Sequence, residues 1–212
     1  MLKARLGFSN SFLDALATRT PDWITPNTIT LSSLVFAVLG FIALAFYGSL
    51  SAALVLFLVT GFADAFDGAV ARARKRVTPF GAFLDGVVDR FNEALLLFGL
   101  MAVTPPLPSF LIPAWAWLSL LLFFGTCMTS FVRAYADHRR VVTDERVLKQ
   151  MGGLLERGER LALLFTGLTA ALVFSNNLLL VYAIALATLL ALVTVTQRIL
   201  AVYFHAKQQA RD

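Results

Sequence analysis

The chain has 212 residues, of which 58% are hydrophobic and only 15% are charged, and its formal net charge is +5. Soluble domains carry roughly 25% charged residues, and several apolar runs here approach the about 20 residues that a helix needs to cross a hydrocarbon core. This composition excludes an ordinary soluble domain. It predicts an all-α integral membrane protein with a single domain over residues 1–212. No basic stripe with interleaved aromatic residues is present, so the positive charge does not indicate nucleic-acid binding.

The segment 1–25 has no continuous apolar core of the kind found in signal peptides. Its apolar residues interleave with basic ones: Leu2, Leu6, Phe12, Leu13 and Leu16 alternate with Lys3, Arg5 and Arg19. This pattern predicts an N-terminal amphipathic helix lying on an anionic membrane surface. A solvated leader is the alternative.

Six apolar runs predict six transmembrane helices, at residues 29–47, 50–72, 80–103, 112–136, 160–174 and 178–204. Turn-forming residues separate the members of three consecutive pairs, for example Gly48 and Ser49 after the first run and Asn176 and Asn177 after the fifth. The fifth run is short, which makes its ends the hardest to place.

The charged residues are distributed on one side of the predicted bundle. The connections 47–50, 104–111 and 175–177 contain no Lys, Arg, Asp or Glu, whereas the basic residues flank the opposite ends of the spans. The positive-inside rule makes the basic side cytoplasmic. Both termini are then cytoplasmic, which requires an even number of spans and agrees with six.

Four aspartates interrupt the second and third apolar runs. Asp64 and Asp67 are three residues apart and Asp85 and Asp89 are four apart, so each pair lies on one helical face. The turn near 77–79 brings the two faces together at the cytoplasmic boundary. Intramembrane carboxylates are costly and usually functional. Salt bridges to the nearby arginines at positions 72, 74 and 90 are the structural alternative.

Four neighbouring carboxylates repel one another unless cations lie between them. Oxygen ligands select Mg²⁺ or Mn²⁺ rather than Zn²⁺, and two such ions suit phosphoryl transfer. Gly68 and Gly81 would let a phosphate ester approach the helix backbones closely. Arg72 is placed to clamp a phosphate.

These residues resemble the signature of the CDP-alcohol phosphotransferase family, D-x2-D-G-x2-A-R-x8-G-x3-D-x3-D. All eight fixed positions are met over 26 residues: Asp64, Asp67, Gly68, Ala71, Arg72, Gly81, Asp85 and Asp89. The resemblance implies that Asp64, Asp67 and Asp85 bind metal. It implies that Asp89 also touches metal and, as the catalytic base, deprotonates the acceptor hydroxyl.

The same resemblance implies a site for the CDP moiety at Asp67, Gly68, Arg72 and Gly81. The stretch 26–30 matches a Pro-Asn-x-x-Thr pattern that the family commonly carries before the first span. Asn27 therefore either contacts the nucleotide or caps the first helix.

Two later stretches resemble the inositol-phosphate branch of the family. Residues 153–160 match G-[IL]-x-E-R-x-E-R closely, whereas 130–137 depart from S-Y-x-[KR]-A-R-A-E at Phe131, Tyr135 and Asp137. The resemblance implies that Arg133, Arg157 and Arg160 bind the phosphate of the acceptor. Ordinary flanking charge is the alternative for these arginines.

The expected reaction moves a phosphatidyl or archaetidyl group from CDP-diacylglycerol or CDP-archaeol to inositol 1-phosphate and releases CMP. Glycerol 3-phosphate is the alternative acceptor, and an ion-coupled transporter is the alternative outside the enzymes. The aspartates cluster at one membrane face, which argues against the transporter. The resemblance also implies a homodimer.

Overall fold

The computed structural model of the protein describes residues 8–103, 110–144, 147–148 and 151–209. Within these ranges the structure is helical, without a β-strand. Its helices are α1 (Phe8–Thr18), α2 (Pro26–Ala45), α3 (Leu50–Ala73), α4 (Pro79–Val103), α5 (Ala114–His138), α6 (Arg157–Val173) and α7 (Leu178–Gln209). The middle of α5, Leu121–Met128, is π-helical.

Each of the six apolar runs corresponds to one helix from α2 to α7. In the part of the chain that the structure describes, α2, α3, α5 and α7 are long and apolar enough to cross a membrane. Helix α4 has 25 residues but carries Asp85, Asp89, Arg90 and Glu93, and α6 has only 17 residues. The count of six spans therefore remains a prediction.

The outward faces of the long helices are apolar. On α2 the exposed side chains include Leu31, Val35 and Leu39, and on α7 they include Leu186 and Leu189. A water-soluble protein would cover such helices with polar residues, whereas hydrocarbon solvates them. The protein is accordingly an all-helical, multi-pass membrane protein.

The chain divides into two compact units, Met1–Pro105 and Pro106–Asp212. In the first unit, α2 packs against both α3 and α4. Two glycines permit the close approach: a Cβ at Gly40 would lie 2.8 Å from the Phe57 ring, and one at Gly99 would lie 2.7 Å from Leu44. Helix α2 therefore brings together the two helices that carry the aspartates.

Helix α1 packs against α3, and a small core forms between them around Ala17 and Val70. Arg74, at the end of α3, donates hydrogen bonds from its guanidinium to the carbonyl oxygens of Ile24 (2.7 Å), Thr20 (2.6 Å) and Pro21 (2.8 Å). These bonds tie the segment between α1 and α2 to the end of α3.

The amphipathic character expected for α1 stays a prediction, because apolar side chains lie on both its buried and its exposed sides. Leu13 and Ala17 pack inward, whereas Phe12 and Leu16 are exposed. The residues expected to extend this pattern, Leu2, Lys3, Arg5 and Leu6, lie outside the described residues. Attachment of α1 to a membrane surface stays a prediction.

In the second unit, α7 packs against α5 and α6. The segment before α6 is held on α7, because the backbone amides of Leu154 and Leu155 donate to Gln197 Oε1 and Thr194 Oγ1 at 2.9 Å each. The start of α6 is thereby placed against the long C-terminal helix.

Candidate active site

The turn between α3 and α4 reverses the chain direction with caps on both helices. After α3, the Arg76 amide donates to Ala71 O at 2.9 Å, and Lys75 has a positive φ of 54°. Before α4, Thr78 Oγ1 accepts the Gly81 amide at 3.0 Å. The end of α3 and the start of α4 are thus fixed beside each other.

Three of the predicted aspartates meet across this turn. Asp64, Asp85 and Asp89 each offer a carboxylate oxygen, and the three oxygens lie within 4.8 Å of one another. Asp64 and Asp85 are half-buried, and Asp89 is 9% exposed. Opposite ligands of an octahedral Mg²⁺ lie about 4 Å apart. The donor set therefore fits a small divalent cation with little movement of the side chains.

Asp67, the fourth aspartate, is held by a different contact. Its side chain is buried, and Oδ2 accepts a hydrogen bond from the Thr30 hydroxyl of α2. The sequence predicts that all four carboxylates lie close together. The structure places three in one group and bonds the fourth to a neighbouring helix.

Two residues expected to hold the nucleotide, Asn27 of α2 and Gly81 of α4, lie close together. A Cβ on Gly81 would come within 3.0 Å of Thr78 Oγ1 and 3.4 Å of Asn27 Oδ1. The N-cap of α2 is Thr25, whose hydroxyl accepts the Thr28 amide at 3.2 Å. The capping interpretation of Asn27 is therefore wrong, because Thr25 holds the N-cap position and Asn27 follows it inside the helix.

Gly68 and Arg72 form a second close pair, since a Cβ on Gly68 would lie 3.2 Å from Arg72 Nη1. Arg72 Nη2 lies 3.9 Å from the Asp14 carboxylate of α1, and both side chains are about half exposed. An exposed pair of this kind contributes little to stability. The guanidinium can therefore exchange Asp14 for a phosphate at low cost.

Of the three arginines that might have neutralised the aspartates, one pairs with Asp89 and the other two pair with aspartates of the N-terminal segment. Arg72 and Arg74 contact Asp14 and Asp22 of the N-terminal segment. Arg90 Nη1 lies 3.4 Å from Asp89 Oδ2. The structural alternative of salt bridges thus applies at Arg90, while Arg72 and Arg74 are directed to the N-terminal segment.

In the second unit, α6 begins with a capping box. The Glu156 side chain accepts a backbone amide of the first turn, and Glu159 Oε2 accepts the Glu156 amide at 3.0 Å. The two glutamates of the matched stretch thus set the start of the helix. Arg157 occupies its first position and Arg160 the position one turn later.

Three arginines of this unit contact α5 or belong to it. Arg160 is buried, and a Cβ on Gly125 would lie 3.1 Å from its Cδ. Arg198 of α7 donates to the backbone oxygen of Thr129. Arg133 is exposed and comes four residues after Thr129. Gly125, Thr129 and Arg133 follow one another at four-residue intervals along α5. Arg160, Arg198 and Arg133 are therefore found at neighbouring turns of this helix.

Of four polar residues near the two predicted sites, the sequence marked only Thr30, as the threonine of the matched 26–30 pattern, and gave it no role. Thr30, Asn92 and Glu93 are buried in the first unit, and Arg198 is half-buried in the second. The signal for Glu93 was its position four residues after Asp89. The signal for Arg198 was a cation inside an apolar run, which ordinarily indicates function.

Comparisons with known proteins agree with this geometry. A family model for CDP-alcohol phosphatidyltransferase matches residues 23–197, which include parts of both units. The chain is 32% identical over 142 residues to archaetidylinositol phosphate synthase of Pyrococcus horikoshii, covering 67% of this chain and 68% of that protein. It is 34% identical over 182 residues to phosphatidylinositol phosphate synthase of Mycobacteroides abscessus, covering 84% and 77%.

Solved structures give the same result. Phosphatidylinositol phosphate synthase (PgsA1) of Mycobacterium tuberculosis, in complex with manganese and citrate, is 25% identical with a TM-score of 0.71, covering 85% of this chain and 83% of that one. The same protein with CDP-DAG bound has a TM-score of 0.70 and covers 85% and 87%. Given the aspartate group on α3 and α4 and these matches, the chain belongs to the CDP-alcohol phosphatidyltransferase family.

Proposed function

We propose that the protein transfers the phosphatidyl or archaetidyl group of a CDP-linked lipid to inositol 1-phosphate and releases CMP. The observation that carries this proposal is the convergence of Asp64, Asp85 and Asp89 to within 4.8 Å, on the residues of the family signature. The choice of acceptor is supported by relatives named archaetidylinositol phosphate synthase and phosphatidylinositol phosphate synthase.

The donor set suits Mg²⁺ or Mn²⁺, and manganese accompanies the related PgsA1 structure. Asp64, Asp67, Asp85 and Asp89 would hold two such ions, which neutralise the diphosphate when bound. Asn27, Asp67, Gly68, Arg72 and Gly81 would hold the CDP moiety. Among them Arg72 would give up its exposed contact with Asp14 for the diphosphate.

In the proposed reaction, Asp89 takes the proton from an acceptor hydroxyl. The hydroxyl oxygen bonds to the lipid-side phosphorus, and the bond from that phosphorus to the bridging oxygen breaks. The bridging oxygen leaves with CMP, and the proton on Asp89 passes to water. A general base must lie within hydrogen-bond reach of the hydroxyl that it deprotonates, and Asp89 belongs to the aspartate group where the CDP-lipid would be held.

For the acceptor phosphate we propose Arg133, Arg157 and Arg160 as ligands. The capping box that begins α6 supports this, because it fixes the backbone of Arg157 and Arg160. Arg198 adds a guanidinium near the same turns of α5. Several guanidinium groups are appropriate to a phosphate dianion.

The proposal includes the membrane arrangement expected from the charges. Helices α2 to α7 would cross the membrane six times, and the termini and the aspartates would be cytoplasmic. α1 would lie at the interface. The active form would be a homodimer, as the family resemblance implies.

The function is tested by supplying the purified protein in lipid with CDP-diacylglycerol or CDP-archaeol, Mn²⁺ and one acceptor at a time. Inositol 1-phosphate should give CMP and a phospholipid phosphate. Free inositol should give much less, because it lacks the group that the arginines bind. Turnover of glycerol 3-phosphate alone would refute the proposed acceptor while leaving the family chemistry intact.

The role of Asp89 is tested by Asp89→Asn. Loss of a general base lowers turnover by about 10²- to 10⁴-fold, and loss of a metal ligand would lower it further. Asp22→Asn is the matched control, because Asp22 is an exposed aspartate of the same unit. Undiminished CMP release by Asp89→Asn would exclude Asp89 as the base.

A further inference from the structure

Behind Asp67, a buried hydrogen-bonded network joins the three helices around the aspartates. Thr30 and Ser33 belong to α2, Asp67 to α3 and Asn92 to α4, and each is at most 5% exposed. Thr30 contacts the Asp67 carboxylate, Ser33 Oγ contacts Thr30 O at 2.7 Å, and Asn92 Nδ2 contacts Ser33 Oγ at 3.0 Å. The network therefore runs continuously from α4 to Asp67.

The direction of each bond follows from the donors available. A serine hydroxyl has one proton, and Ser33 gives it to Thr30 O, so its oxygen accepts from the amide nitrogen of Asn92. The Thr30 hydroxyl also has one proton, with Asp67 Oδ2 and Pro26 O (3.1 Å) as possible acceptors. The carboxylate is the stronger acceptor when it is ionised. Thr30 is therefore a donor to Asp67.

We propose that Thr30 is a positioning residue for the metal centre: its hydroxyl holds one oxygen of Asp67 and so orients the carboxylate as a ligand for a divalent cation. This rests on the proposed role of Asp67 in metal binding. A carboxylate with one oxygen occupied by a fixed donor loses rotational freedom before the cation arrives. Partners of this kind typically change metal affinity or activity by about 10- to 100-fold when removed.

Thr60 provides a contrast within the same bundle. It is also buried, but its hydroxyl donates to Leu56 O of its own helix at 2.9 Å, with Ser33 O at 3.4 Å. Such bonding to the preceding turn is the ordinary arrangement of threonine in a helix. Among the described residues, both acceptors of the Thr60 hydroxyl are backbone oxygens, so Thr60 serves as a matched control for loss of a buried hydroxyl.

The test measures Mn²⁺ binding directly, from the electron paramagnetic resonance signal of free Mn²⁺ titrated with the purified protein. Thr30→Val keeps the shape and removes the donor, so Mn²⁺ affinity should fall about tenfold. Thr30→Ser retains the donor and should stay within about twofold of the wild type. Thr60→Val should have the wild-type affinity. In turnover assays, Thr30→Val should raise the Mn²⁺ concentration for half-maximal rate more than it lowers the rate at saturation.

Two outcomes overturn the inference: unchanged Mn²⁺ affinity in Thr30→Val, or an equal loss in Thr30→Ser, which would assign the effect to packing of the methyl group. Asp67→Asn separates this inference from the proposed function. If Asp67→Asn weakens Mn²⁺ binding and Thr30→Val does not, only the positioning role fails. If Asp67→Asn also leaves Mn²⁺ binding unchanged, the proposed role of Asp67 in the metal site fails.

Discussion

Arg74→Gln should release the N-terminal segment from α3. The guanidinium bonds to three carbonyl oxygens, of which those of Thr20 and Ile24 are partly buried and that of Pro21 is exposed. Hydrogen bonds to charged groups are each worth about 1.5–3 kcal/mol. Counting only the two partly buried bonds at the lower value gives about 3 kcal/mol. Because each 1.4 kcal/mol is tenfold, the opening equilibrium of this segment should rise about 100-fold.

The assay is limited trypsin digestion in detergent, with cleavage after Arg19 followed by mass spectrometry. Arg19 lies just after α1, within the region that Arg74 holds. When opening is fast relative to cleavage, the rate follows the open population. Arg76→Gln is the control, because Arg76 is exposed and only two residues away. If Arg74→Gln and Arg76→Gln were cleaved after Arg19 at similar rates, the stabilising role of Arg74 would be refuted.

Other predictions concern the substrate and metal sites. Gly81→Ala should raise the KM for the CDP-lipid, because its Cβ would crowd Thr78 and Asn27. Gly86→Ala should not, since its Cβ would meet no described atom within 4 Å apart from its chain neighbours and its own helix backbone; equal KM values for the two variants would contradict this. A chelator should abolish CMP release, and Mg²⁺ or Mn²⁺ should restore it; turnover in the chelator would exclude a metal-dependent reaction. Arg157→Ala should raise the KM for inositol 1-phosphate about tenfold and leave that for the CDP-lipid unchanged. Lys207→Ala, which removes an exposed cation of α7, is its control, and an unchanged acceptor KM in Arg157→Ala would indicate mere flanking charge.

The helices were predictable because apolar runs and turn residues are local signals. Helices α2 and α6 begin earlier than predicted, and each difference has a local cause. α2 begins at Pro26 rather than 29 because Thr25 supplies the N-cap. α6 begins at Arg157 rather than 160 because Glu156 and Glu159 cap each other. A glutamate in place of the usual serine or threonine hides this second cap from sequence reasoning.

The site was predictable where its residues are chemically unusual for a membrane helix. Charge and spacing identified Asp64, Asp85 and Asp89, which the structure brings together. Thr30 belongs to the matched 26–30 pattern, but its contact with Asp67 was not predictable, because threonines in helices normally bond to their own preceding turn, as Thr188 and Thr194 do. Only the packing of α2 beside α3 distinguishes a hydroxyl that reaches Asp67 from one that does not.

The charge content of α4 has a consequence for how the protein enters the membrane. Asp85, Asp89, Arg90 and Glu93 lie within nine residues of one helix. An acidic or basic residue at the centre of an inserting helix costs about 2.5–3.5 kcal/mol, so α4 should partition poorly by itself. The preceding α2 has no charged residue and is apolar enough to cross a membrane, yet it offers Ser33 Oγ, which accepts a hydrogen bond from Asn92 of α4. We expect α4 to insert against an already placed α2, so that biosynthesis in chain order assembles the aspartate site as the helices leave the translocon.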